Sequence, residues 1–172
     1  MRKNFIALCL SLVCFGMNAQ KGLVEFENDL KTSKASIKQV IPVVNQKNDD
    51  LSLFIVDAKK VYGYLFNDKF ETINKLSSND RSRVYRTLIG YSISDDTNYN
   101  IYLADKKKKR FAALNFSFDS NSSTLNEFVF QNPNERFVQT ATINNTCYLV
   151  TVIKETSIFL VYALNGLDKP KP

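Results

Sequence analysis

Apolar and polar positions change places over short runs along most of the chain. From residue 37 onward, stretches rich in Val, Ile, Phe, Tyr and Thr alternate with clusters of Asn, Asp, Ser and Lys. This is the pattern of strands bounded by hydrogen-bonded turns. The runs predict strands at 37–44, 51–57, 60–66 and 70–76, then 84–94, 99–104, 110–118 and 124–130, and finally 136–143, 146–153 and 157–164. A helical period is approached only between Leu23 and Val40, where Leu23, Phe26, Leu30 and Ile37 fit it loosely. The middle of that stretch, Lys31 to Ser36, offers no apolar anchor except Ala35. A strand near Val24 to Phe26, a polar link, and a strand that tolerates Pro42 near a sheet edge or bulge fit better. The fold class expected is therefore all-β.

The first residues follow another rule. Met1-Arg2-Lys3-Asn4 is a short cationic start, Phe5 to Phe15 an apolar run, and Gly16-Met17-Asn18-Ala19 a small-residue ending before Gln20. Together they read as a secretory signal peptide over residues 1–19, cleaved near Ala19, which makes the remainder an exported protein. The apolar run is far shorter than the roughly 20 residues that cross a bilayer, so no membrane span is expected. Ser11 and Val13 stand where a lipid-modification box around Cys14 would need Leu and a small residue.

A shift of 48 residues superposes Ile37, Val40, Ile41, Val43, Leu51 and Leu53 to Asp57 on Tyr85, Leu88, Ile89, Tyr91, Tyr99 and Ile101 to Asp105. Apolar positions meet apolar positions, and aspartate meets aspartate. With one extra residue in the next hairpin, Tyr62-Gly63-Tyr64-Leu65 meets Phe111-Ala112-Ala113-Leu114. A third copy starts near Phe137, with Tyr148-Leu149-Val150-Thr151 lying 47 residues after Ile101 to Ala104. The organisation expected is a leader at 1–19, an N-terminal strand and linker at 20–36, a repeat domain at 37–166 with units 37–76, 85–130 and 137–164, and a tail at 167–172.

Four antiparallel strands in about 48 residues resemble the blade of a β-propeller-type repeat protein. The resemblance implies an antiparallel meander of four-stranded, blade-like sheets. It also implies an incomplete propeller, because propellers close with about four to eight blades and three units are visible. The strand near Val24 would then be one that an N-terminus lends to a final blade. A single up-and-down barrel or a β-sandwich accounts for the same strand count and is the competing architecture.

Charge and chemistry narrow the function by exclusion. The formal charge is +6, but Arg2 and Lys3 leave with the leader, so 21 of the 23 basic residues remain against 17 acidic ones. Five of them, Lys106, Lys107, Lys108, Lys109 and Arg110, stand together in one hairpin. The basicity is thus local, and no nucleic-acid face is expected. A solvated turn explains the run; the sharper reading is a contact for a polyanion such as an acidic cell-surface glycan. The sequence contains no histidine, which removes Ser-His-Asp, Cys-His and histidine-metal chemistry. Cys9 and Cys14 leave with the leader, so Cys147 is the single thiol and reads as a small buried strand residue. Asp96 to Asn100 and Asp119 to Ser123 imitate calcium loops but lack the turn glycine and the bidentate glutamate, and read as ordinary turns. Among Glu25, Glu27, Glu127, Glu135 and Glu155, no spacing singles out a catalytic pair. Asn115, Asn121 and Asn144 begin Asn-x-Ser/Thr triplets that matter only in a glycosylating pathway.

The expected function is a non-enzymatic exported β-repeat module for binding or scaffolding, without cofactor or metal, whose partner is a protein or a cell-surface glycan. A barrel-type carrier of a small apolar ligand and the N-terminal part of a larger extracellular hydrolase are the alternatives.

Overall fold

The computed structural model describes residues 39–57, 60–78 and 84–164, together with Glu25. The leader, the rest of the segment around Val24 and the 167–172 tail lie outside the described residues. The described chain is all β, in eleven strands: β1 Gln39–Val44, β2 Leu51–Val56, β3 Val61–Phe66, β4 Thr72–Ser77, β5 Thr87–Ile93, β6 Asn98–Ala104, β7 Arg110–Ser117, β8 Ser122–Val129, β9 Glu135–Ile143, β10 Thr146–Ile153 and β11 Phe159–Leu164. They form three antiparallel meanders, β1-β2-β3-β4, β5-β6-β7-β8 and β9-β10-β11. None of the three sheets closes on itself, so the barrel alternative is set aside.

Each meander follows from local chemistry. Consecutive antiparallel strands need only short turns, and the turn residues are the ones that tolerate left-handed backbone. Asn144 and Asn145, at φ 48° and 64°, make the two-residue turn between β9 and β10, while Asn121 at φ 50° lies in the β7–β8 turn. The two aspartates matched by the repeat do the same job. The Asp57 N–H donates to Lys60 O at 2.9 Å, and the Asp105 N–H to Arg110 O at 2.9 Å.

The registers of the sheets follow the sequence alignment only in part. Gln39 pairs with Val56 as Thr87 pairs with Ala104, a shift of 48 residues. In the third strands, however, Val56 pairs with Val61 and Ala104 with Phe111, so these strands are offset by 50 residues where 49 was expected. In the third copy, Cys147, Leu149 and Thr151 face the second sheet as Tyr99, Ile101 and Leu103 face the first, an offset of 48 where 47 was expected. The reason is the period of two in a strand: a one-residue slip would turn every side chain to the opposite face, and apolar matching alone does not detect it when both faces are apolar.

The faces pack in sequence. The back face of the first sheet, with Phe54, Val56, Val61 and Leu65, meets the front face of the second, with Tyr99, Ile101, Leu103, Leu114 and Phe116. Phe54 lies 5.1 Å from the Phe116 ring and 5.7 Å from that of Tyr99. Gly63 belongs to this contact, because a Cβ there would stand 2.9 Å from Phe54 Cε1. The back face of the second sheet, with Tyr102 and Ala113, meets Cys147, Leu149, Tyr162 and Leu164 of the third. A bulge between Leu88 and Gly90 lets β5 approach β10 closely; a Cβ on Gly90 would stand 2.7 Å from Cys147 Sγ. Thr140 and Thr142 on β9 donate their hydroxyls to the carbonyls of Ile89 and Tyr91. A smaller cluster of Ile55, Tyr64 and Phe66 lies on the front face of the first sheet.

One contact shows how the sheets lie together. Asn145, in the third sheet's turn, accepts the Ile93 N–H of the second sheet at 2.8 Å and donates to Asn45 Oδ1 beside the first at 3.1 Å. Packed sheets stand about 10 Å apart. In a flat stack the first and third would be separated by about twice that, so a direct bond between them requires the sheets to converge at this end of β1, β5 and β9.

Candidate functional site

In a meander every second turn falls at the same end of its sheet. The β1–β2, β3–β4, β5–β6, β7–β8 and β9–β10 turns lie at one end, and the β2–β3, β6–β7 and β10–β11 turns at the other. Contacts between sheets keep the ends in common. Asn45 meets Asn145, and Asn74 donates to Phe118 O at one end, while Lys108 Nζ lies 4.6 Å from the Phe137 ring at the other.

The two ends carry opposite charge. At the first, the 45–50 turn brings Asp49 and Asp50, the 67–71 turn Asp68 and Glu71, the 94–97 turn Asp95 and Asp96, and the 118–121 turn Asp119; Lys47 and Lys69 are the cations there. Burial raises the Asp50 carboxyl above the usual range, and the neighbouring charges of Asp68 and Asp96 raise it further. Asp95 behaves differently. Although its partial burial acts upward, hydrogen bonds from Thr97 and Asn98 hold it below the ordinary value. Asp95, rather than the Asp96 that opens the calcium-like pattern, therefore organises the turn. Asp119 accepts the Thr97 hydroxyl at 2.7 Å, which ties two acidic turns together.

At the second end stands the predicted basic run. Lys106, Lys107, Lys108, Lys109 and Arg110 are all exposed on the β6–β7 hairpin. The hairpin is held from within. Asp105 Oδ1 accepts the N–H groups of Lys109 at 2.7 Å and Arg110 at 3.2 Å, and Lys108 takes a left-handed φ of 53°. The five cations differ in their surroundings. Arg110 sits 3.6 Å from Glu127 and near the Tyr85 ring, and Lys108 lies over Phe137. Lys106, Lys107 and Lys109 make no ion pair among the described residues. Lys106 and Lys107 border an open depression of about 400 Å³ with Val84, Arg86 and Asp105.

The other sequence candidates are placed as follows. Cys147 is fully buried, and burial pushes its thiol up to about 11, so the thiolate that reacts is scarce at neutral pH. The glutamates are dispersed: Glu127 is beside Arg110, Glu155 beside Lys154, and Glu25 is exposed, while Glu27 lies outside the described residues. Glu135 is buried and accepts the hydroxyls of Thr151 and Tyr162. Burial, then the Glu135 contact, pushes Tyr162 up to about 12. Asn115 is half-buried and donates to Asn100, whereas Asn121 and Asn144 are exposed in turns. No group of three or more acidic or cysteine side chains among the described residues is arranged to hold a metal, and no described helix is long and apolar enough to cross a membrane.

The acidic end escaped the sequence reading because its aspartates are scattered over four turns from residue 49 to 119. Only the alternation of turns between the two ends gathers them. No protein-family model matches this chain, and comparison with curated proteins and with solved structures found no match.

Proposed function

We propose that this chain is an exported, non-enzymatic β-repeat module whose blade-like sheets, arranged in the manner of a partial propeller, form a scaffold for binding an acidic partner at the basic end. The observation that carries this reading is the separation of charge along the strands. Lys106, Lys107 and Lys109 stand unpaired on a turn whose own carboxylate, Asp105, is committed to backbone N–H groups, and the acidic turns are at the far end of the same sheets. A polyanion approaching the molecule is attracted by one end and repelled by the other, so the charge selects an orientation as well as a partner. Sulfated or carboxylated glycan and acidic protein surfaces share the needed chemistry.

The test replaces Lys106, Lys107, Lys108 and Lys109 by serine and measures elution from an anionic polysaccharide column against salt. Loss of salt-dependent retention, with the circular dichroism spectrum unchanged, is expected. Retention equal to that of the parent chain would remove the basic turn as the contact.

A further inference from the structure

The acidic end is one surface rather than four separate turns. Asp50, Asp68 and Asp96 come from three turns of the first two sheets, yet they lie close enough that, beyond the effect of burial, the charges of Asp68 and Asp96 raise the Asp50 carboxyl. Asp119 joins them through the Thr97 hydroxyl. Beneath two of these turns lie hydroxyls with nothing to bond. Ser52 follows the 45–50 turn and Tyr99 the 94–97 turn; both are buried, and neither Ser52 Oγ nor Tyr99 OH has a hydrogen-bond partner among the described residues. Burial raises the Tyr99 phenol above its ordinary value, and the charges of Asp50 and Asp96 raise it further, so the hydroxyl lies close to those carboxylates. An unengaged hydroxyl turns its oxygen toward an arriving cation, and a lysine ammonium brings three donors and no acceptor. Asn45 Nδ2 is likewise unpaired but, as a donor, offers a cation nothing.

The two charged ends do not satisfy each other within one molecule. β7, which runs from Arg110 toward the 118–121 turn, has 8 residues, and at about 3.4 Å per residue it holds the ends about 27 Å apart. The screening length at physiological ionic strength is only about 8 Å. Each end therefore meets solvent as a separate surface, and the two face opposite ways along the strands.

We infer that the acidic end of one copy seats the 106–109 turn of the next, so that the chain associates head to tail along its strands. This rests on reading the basic turn as the contact for an acidic partner, and it names that partner as a second copy of the chain. Charge complementarity carries it. Lys106, Lys107 and Lys109 make no ion pair among the described residues, and neither do Asp68 and Asp96. A projecting cationic hairpin thus meets carboxylates that have no cation of their own. The contact is heterologous: a dimer keeps one free end of each sign, and further copies add to it.

The experiment is light scattering on the purified chain over a range of concentrations, at about 20 mM and about 300 mM salt. The parent chain should associate at low salt and return to monomer at high salt, dimerisation weakening at least ~10-fold. Two variants each disable one end, K106S/K107S/K108S/K109S the cations and D50N/D68N/D96N the carboxylates. Each alone should stay monomeric where the parent associates. Mixed in equal amounts they should form a one-to-one complex that grows no further, since each supplies the end that the other lacks. D50N/D68N/D96N should keep the parent's retention on the anionic polysaccharide column. A parent chain that is monomeric at low salt up to its solubility limit overturns the inference, as does association that either variant retains, or a mixture that stays apart. A chain that binds the polysaccharide but never itself removes the second copy and leaves the basic turn as a contact. A lysine variant that keeps both association and retention removes both.

Discussion

The second and third sheets are made of nearly the same kind of sequence and live in different surroundings. In β6, Tyr99 to Ala104 are buried without a break, because sheets stand on both sides; in β10, an equally apolar run from Cys147 to Val152 alternates between buried and half-covered. The difference teaches that local composition records how many faces a strand is meant to bury, not what buries them. The second sheet finds both covers within its own chain. Among the described residues the third finds one.

The largest expected effect separates these two surroundings directly. Phe116 is fully buried between the first and second sheets, within 6.4 Å of the Phe118 ring as well as against Phe54. Phe116→Ala should cost about 3–5 kcal/mol, the usual range for removing a core aromatic ring. Val161→Ala on the open face should change the stability of the dilute monomer by less than about 0.5 kcal/mol. Urea unfolding at low protein concentration gives both numbers. Comparable losses at the two sites would mean that the third sheet's back face is covered within the monomer after all.

The next effect concerns the interface that the two sheets share. Cys147 there is raised from 9.0 to about 11 by burial, and Tyr162 from 10.0 to about 12 by burial and the Glu135 contact. Both groups hold their proton more tightly folded than unfolded. Their contribution is therefore complete below pH 9 and is lost as pH rises, between about 9 and 11 for the thiol and between about 10 and 12 for the phenol. For the fully buried thiol the loss amounts to about 2 to 3 kcal/mol. The unfolding free energy should thus fall steadily above pH 9, and Cys147→Ala should remove the first part of that slope. An unchanged slope in that variant would show that the thiol does not titrate with unfolding.

Much of this arrangement was legible in the chain. Strand positions followed from the alternation of β-branched and aromatic runs with Asn, Asp and Ser turns, and the short connections announced antiparallel sheets. What escaped depended on which way a side chain faces. The third-strand offset was misplaced by one residue because Tyr62, Gly63 and Tyr64 are apolar enough to match Phe111, Ala112 and Ala113 in either phase. The basic turn was visible because its five cations are contiguous. The opposing acidic end was not, since Asp50, Asp68 and Asp96 acquire a common address only when antiparallel strands return their turns to the same place.

The smallest effect distinguishes the two sheets at their turns. The Ile153 N–H donates to Ile158 O as the Asp105 N–H does to Arg110 O, so the β10–β11 and β6–β7 turns have the same length and closure. Their side-chain support differs. In the second sheet Asp105 accepts two backbone N–H groups, whereas in the third the Thr156 hydroxyl donates to Ile153 O and accepts the Ile158 N–H. Bonds to a charged acceptor are the stronger kind, although both turns are exposed to water. Asp105→Ala should cost about 1 kcal/mol and Thr156→Ala about half as much. Removing Asp105 also takes away the negative charge that adjoins the lysine run, so that variant should elute later from an anionic column even as it loses stability. The opposite signs of the two readouts separate a carboxylate that shapes the turn from one that takes part in binding: if retention falls with stability, the turn must be rigid to bind, and if it rises, charge alone decides.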